Sequence, residues 1–268
     1  MIHPTAIIHP QAKLHASVEV GPYAVVDAAV AMGADCVLGP YVHITGVTRI
    51  GVGNRFHTGG VIGDAPQDLK YKGEPTRLVI GDRNVFREHV TVHRSSKAAG
   101  KTVIGSDNFL MQHSHVAHDC IIGDHVILAG GALLAGHVTV QDRAFLSGNC
   151  LVHQFVTVGT LAIMQGGCAI SKDVPPFCVA TGKNTICGLN VIGLRRAGHS
   201  PAERQELKRA YRMLFRDGLN RAAAVARART ECSGTAALSL IEFVARSERG
   251  VCADSGRAGP EPDDLEAR

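Results

Sequence analysis

The 268-residue chain has no tryptophan, and aromatic residues make up only 4% of it. Aromatic rings normally supply much of a core's buried area, so Val, Ile, Leu and Ala must fill this one. No run of about 18 apolar residues occurs, which argues against a membrane-spanning helix. The stretch MIHPTAIIHPQAKLH lacks a basic segment followed by an apolar one, so it does not read as an export signal. Eight cysteines include no CxxC pair, which points to reduced thiols and a cytoplasmic location. Charge is also scarce: 19% of residues are charged and the net is +4, too mild to indicate nucleic acid. With 45% apolar residues, wholesale disorder is excluded.

What the chain does have is a period of six. Large apolar residues stand at Ile2, Ile8, Leu14 and every sixth position to Ile62, eleven in succession. The same phase returns at Ile80, Phe86 and Val92, then runs unbroken through twelve positions from Ile104 to Ile170. At 45% apolar content, filling the two long runs by chance has a probability of roughly 10⁻⁸. Gly often follows the large residue, as at Gly21, Gly33, Gly39, Gly51, Gly81, Gly105 and Gly123, and a small or β-branched residue stands four positions after it. Neither a strand of period two nor a helix of period 3.6 accounts for six. A short strand plus a tight turn does, with Gly expected to supply the unusual turn angles. Three such units close a triangular coil of 18 residues, and stacked coils form a parallel β-helix.

Two segments break the pattern, 64–79 (DAPQDLKYKGEPTRLV) and 94–101 (RSSKAAGK). Insertions in a solenoid are extruded as loops, often on the binding face. The repeat fades after Val174-Pro175-Pro176. Ser200-Pro201-Ala202-Glu203 then has a capping Ser, Pro at the first helical position and Glu at the third. Alanine-rich 220–229 and the stretch 236–247 read as two further helices. The expected division is a β-helix over 1–185, a helical domain over 186–252 and a disordered tail over 253–268.

Most of the 14 histidines read as surface residues: His3, His9, His15, His43, His57, His89, His93, His125 and His199. The cluster His113-Ser114-His115-Val116-Ala117-His118-Asp119 differs. Val116 and Cys120 point inward, which leaves His118 and Asp119 on or near the outer surface. One coil beyond His118 is Gly136 and a second is Gln154, so the three stack in one column about 4.8 Å apart. His137 and His153 are their neighbours. Three readings fit this column. His118 is a general base, with Asp119 fixing its tautomer and the Gly136 N–H stabilising an oxyanion. Alternatively, the histidines bind Zn²⁺ as in hexapeptide-repeat carbonic anhydrases, or they form a plain polar surface.

The blocks DLKYKGEPTR, HVAHDC, LAGHV, VHQF and DVPP together resemble the acyl-[acyl-carrier-protein]–UDP-N-acetylglucosamine O-acyltransferases, which open lipid A assembly. The resemblance implies a left-handed β-helix with a small helical C-terminal domain, packed as a homotrimer. It implies a cofactor- and metal-free reaction. In that reaction a 3-hydroxyacyl chain passes from acyl carrier protein to the 3-hydroxyl of UDP-N-acetylglucosamine. His118 then matches the base and Gly136 the oxyanion donor. Asp68, Lys70, His115, His137, His153 and Gln154 match substrate-binding positions, and Asn190 and Arg196 match nucleotide contacts. Gly166 matches the position that gauges acyl length, and its small size implies a long chain. Ile192 and Ala197 depart from the family pattern, at an acidic and an arginine position. The alternatives are a 3-amino sugar acceptor and a metal-dependent hydratase on the same scaffold. Arg204, Lys208, Arg212 and Arg216, spaced by four, form a basic face suited to an acidic carrier protein.

Overall fold

The computed structural model describes residues 1–256. Three sheets of two- to five-residue strands run the length of a triangular prism. Along most of the prism each strand pairs in parallel with the strand 18 residues away, as in Leu133↔Leu151 and Phe145↔Ile163. The sequence period is thus the coil itself. Its large residues are the core: Leu38, Ile44, Leu110, Leu128 and Leu146 are each at most 1% exposed. The few aromatic rings that enter stack on one another, Phe56 on Phe86 at 4.7 Å.

Glycine serves a different purpose from the one its spacing suggested. The residues with left-handed backbone lie two positions later and are mostly not glycine: Tyr23, Asp35, His89, Asp119, His137 and Asn149 all have φ near +60°. Apart from Gly63 (φ +89°), the glycines after the large residue have ordinary φ and are required by close stacking. A Cβ on Gly105 would lie 2.6 Å from the Gly123 carbonyl oxygen and 2.3 Å from an Asp124 carboxylate oxygen. Gly105→Ala is therefore expected to destabilise the protein by roughly 1–3 kcal/mol, as overpacking does. Thermal unfolding would show the loss, and activity per folded molecule would be unchanged.

Both interruptions leave the prism at the same edge. The pairing Val61↔Thr91 spans 30 residues, 12 more than a normal coil, because 65–76 is extruded. Thr91↔His115 spans 24, six more, because 94–100 is extruded. Arg94 ties the loops together: its guanidinium donates to the Gly63 carbonyl at 2.9 Å and to the Tyr71 hydroxyl at 3.4 Å.

Beyond the last coil, Cys178–Thr181 continues one sheet and Thr185–Leu189 turns back antiparallel to it. Four helices follow among the described residues: α1 (Val191–Arg196), α2 (Pro201–Phe215), α3 (Arg221–Glu231) and α4 (Thr235–Arg246). Ser200 and Glu203 form the capping box at the start of α2. Two strands cross the expected boundaries. The strand Thr185–Leu189 crosses the division at 185/186. Ala253–Asp254 is a strand paired in parallel with Thr185–Ile186, so order extends past 252; the remainder of the expected tail, 257–268, lies outside the described residues. The chain returns because Asp254 is drawn to Arg216, the residue that caps the end of α2, and Asp173 accepts from Ser247 at 2.6 Å.

Candidate active site

The prism edge that extrudes the two loops also carries His118, Asp119, Gly136, His137, His153 and Gln154, because successive coils turn there between the same two sheets. His118 Nδ1 lies 2.8 Å from an Asp119 carboxylate oxygen. That oxygen also accepts from Ser96 N–H at 3.1 Å and Ser96 Oγ at 2.8 Å, and the other carboxylate oxygen accepts from Ser95. Thr102 Oγ1 accepts from the Asp119 N–H at 2.8 Å. Burial pushes the Asp119 carboxyl upward, but hydrogen bonds from Ser95, His118 and Ser96 outweigh it and hold it at about 2. A carboxylate only accepts, so His118 Nδ1 carries the proton and Nε2 is left with its lone pair.

Nε2 points at the next coil. A Cβ on Gly136 would sit 2.6 Å from His118 Cε1 and 2.7 Å from Nε2, so the imidazole occupies the space a side chain would take. Among the described residues the Gly136 N–H donates to no acceptor in the chain, while its carbonyl accepts from Phe155 N–H at 3.2 Å. His137 stands edge-on to His118 at 5.2 Å and stacks on Phe155 at 4.5 Å. Burial lowers its pKa, partly opposed by Asp119. His115 accepts or donates to Thr91 Oγ1 at 2.7 Å, and burial brings it down to about 4, so it is neutral at neutral pH.

His118 and Gly136 open onto a groove of 580 Å³ whose lining includes Gln67, His115, Leu133, Leu151, His153, Gln154 and Lys183. Leu133 and Leu151 are 40% and 49% exposed and give it an apolar floor beside a polar head. On the other side of His137 and Phe155, a second cavity of 850 Å³ runs under α4.

Several expected positions differ. His118 and Asp119 are not fully on the surface: their side chains are 13% and 8% exposed, because loop 94–100 folds over them. His93, read as a surface residue, is buried, edge-on to His115 at 4.9 Å with Nδ1 unpartnered. Asp68 accepts from the Lys70 N–H at 2.9 Å, and Lys70 is exposed. Three expected site residues do not join His118 within one chain. Gly166 lies on the edge holding Gly130 and Gly148. Asn190 caps α1 and donates to the Leu161 carbonyl at 2.9 Å on the third edge, and Arg196 ends α1. Sequence reasoning missed Ser95, Ser96 and Thr102; their one signal was the polar break in the repeat.

The ligating atoms of His118, Asp119 and His137 lie within 4.8 Å of one another, which raises the question of a metal. The donor set suits one poorly. Asp119 already accepts from four donors, and a metal would have to displace the Nδ1 proton that holds His118.

Residues 173–252 match a family described as Udp N-acetylglucosamine O-acyltransferase, domain 2, and 101–136 match bacterial transferase hexapeptide repeats. An acyl-[acyl-carrier-protein]–UDP-N-acetylglucosamine O-acyltransferase from Thermodesulfovibrio yellowstonii is 47% identical over 94% of this chain and 98% of its own. The chain belongs to that family. A relative of the same name from Syntrophobacter fumaroxidans is 46% identical over 93% and 98%. The solved UDP-N-acetylglucosamine acyltransferases of Francisella novicida and Bacteroides fragilis superpose with TM-scores of 0.92 and 0.91. They are 37% and 40% identical, covering 96% and 94% of this chain and 95% and 99% of theirs. The fold is therefore the left-handed β-helix that the resemblance implied, and the protein is an acyltransferase. Among the described residues no helix is long and apolar enough to cross a membrane.

Proposed function

We propose that the protein moves a 3-hydroxyacyl chain from acyl carrier protein to the 3-hydroxyl of UDP-N-acetylglucosamine, with His118 as general base. The observation that carries this reading is the placement of His118 Nε2 against Gly136, at the head of an apolar groove. Nε2 takes the proton of the sugar hydroxyl as its oxygen attacks the thioester carbon. The carbonyl becomes an oxyanion that the Gly136 N–H stabilises. The C–S bond then breaks, and the imidazolium returns its proton to the leaving thiolate. The stretch from Leu133 to Leu151 offers the chain an apolar bed, and Asp68, Lys70, His153 and Gln154 hold the sugar-nucleotide.

The placement of Gly166 and Asn190 on other edges favours a homotrimer. A cyclic trimer sets unlike edges of neighbouring subunits together, so a second chain can complete a site that one chain leaves open. The free, buried state of all eight cysteines accords with the cytoplasm. Mass spectrometry of the product from UDP-N-acetylglucosamine and a panel of 3-hydroxyacyl carrier proteins tests the reaction. The expected product is an alkali-labile ester; an alkali-stable amide on a 3-amino analogue would name the other acceptor, and no acylation of either would overturn the reading.

The basic face of α2 is partly engaged already. Arg204 donates to the His199 carbonyl at 2.6 Å, Arg212 pairs with Asp217 at 3.1 Å, and Arg216 pairs with Asp254. Lys208 stays exposed. If this face steers the acidic carrier protein, KM for the acyl-protein rises several-fold as salt shortens the Debye length from about 10 Å towards 3 Å. KM for the sugar-nucleotide stays nearly constant; equal salt responses would remove the docking role.

A further inference from the structure

The segment that breaks the repeat at 94–100 spends its polar groups on one carboxylate. Ser95 is fully buried and its hydroxyl goes to one Asp119 oxygen. Ser96 delivers both its N–H and its hydroxyl to the other, the same oxygen that holds His118 Nδ1. From the far side, Thr102 accepts from the Asp119 N–H, and its side chain is also fully buried. Asp119 itself sits in the left-handed region with φ +61°, a conformation Asp tolerates better than most residues. A normal 18-residue coil has no residue that can reach this carboxylate from above; the extra six residues of this coil provide two.

We infer that Ser96, supported by Ser95, is a positioning residue for acyl transfer: it pins the Asp119 oxygen that orients the His118 imidazole toward Gly136. This rests on the general-base reading of His118. An Asp carboxylate holding only an imidazole can rotate about its last torsion, which is soft. A carboxylate with both oxygens bound to a loop cannot. The direction of the His118 ring is thereby set by the loop, through Asp119. The hydroxyls have a second consequence for proton traffic. With four donors directed at it, Asp119 has no free lone pair facing the imidazole beyond the one in use, so it accepts the Nδ1–H bond without taking the proton. The proton abstracted from the sugar hydroxyl thus stays on His118 until the thiolate leaves.

Three variants and one spectrum test this. Ser96→Ala is expected to lower kcat about tenfold, a fraction of the ~10²–10⁴ a positioned base supplies, with KM for the sugar-nucleotide unchanged. Ser96→Thr, which keeps the hydroxyl, is expected to restore kcat to within about twofold of wild type. In an Asp119→Ala background the Ser96→Ala change is expected to cost nothing further, because coupled groups are non-additive. The low-field proton resonance of the His118 Nδ1–H is expected in the wild-type protein and weakened or shifted by Ser96→Ala, a readout that needs no turnover. Full kcat in Ser96→Ala, an undiminished Ser96 effect without Asp119, or an unchanged His118 resonance would each overturn the positioning role. Turnover by His118→Ala would instead remove the base, a result told apart from these because it leaves the serines untouched.

Discussion

His118→Ala is expected to lose turnover by a factor of about 10²–10⁴, the range a general base contributes, while folding is unaffected. The separation of the two effects follows from where the side chain lies. His118 is on the outside of a coil whose stability comes from Val116 and Cys120 within it, both fully buried. Its polar contact is to Asp119, which keeps three other donors when the imidazole is gone. Thermal unfolding and size-exclusion chromatography of the variant should therefore match wild type. Saturating sugar-nucleotide does not rescue the rate, because the loss lies in proton transfer and not in binding. A variant with wild-type kcat would show that another group removes the proton.

Gly136→Ala is expected to cost about as much as removing the base, on the order of 10²-fold in kcat. The cause is unusual for a glycine. Gly136 has no left-handed backbone, so alanine meets no conformational penalty there. Its methyl would instead occupy a point 2.6 Å from His118 Cε1 and 2.7 Å from Nε2. Asp119 resists the imidazole's retreat, since the loop holds it on both oxygens, so the ring must rotate off its Nδ1 bond. The base then loses its direction and the groove its head together. Stability is expected to change by less than about 1 kcal/mol, because the clash is with a side chain that opens onto the groove. Placing His118→Ala under Gly136→Ala gives a sharper form of the same prediction: the second substitution adds little once the first has been made. A large further loss would mean that the methyl acts on the groove itself and not only through the His118 ring.

Most of the fold was legible because its cause is local and repeats. One aliphatic and one small residue per hexad fill a triangular section with no room for tryptophan, and residue separations of 18 fix who neighbours whom. For the same reason the column of His118, Gly136 and Gln154 could be read off by arithmetic. What could not be read were effects that leave the period. The loop 94–100 has no repeat partner, so the reach of Ser95 and Ser96 to Asp119 is not encoded in spacing. The six residues of α1 are too few to show periodicity, and Asn190, matched to a nucleotide contact by resemblance, also caps that helix. The glycines were found correctly and explained wrongly, because spacing shows that a side chain is missing and not whether a torsion or a neighbouring backbone excludes it. Gly166 and Asn190 fall on other edges for a simpler reason: hexad arithmetic orders residues within one prism and is blind to a neighbour.

The two ends of the solenoid are not equivalent. At the carboxyl end, the reversal between Cys178–Thr181 and Thr185–Leu189 and the returning strand Ala253–Asp254 extend one of the three sheets. At the amino end, Ile7–Ile8 and Lys13–Leu14 are the first strands of their sheets and pair on one side only. Among the described residues the reversal at the carboxyl end is the one antiparallel pairing of the prism, so the coil cannot be continued past it in that sheet.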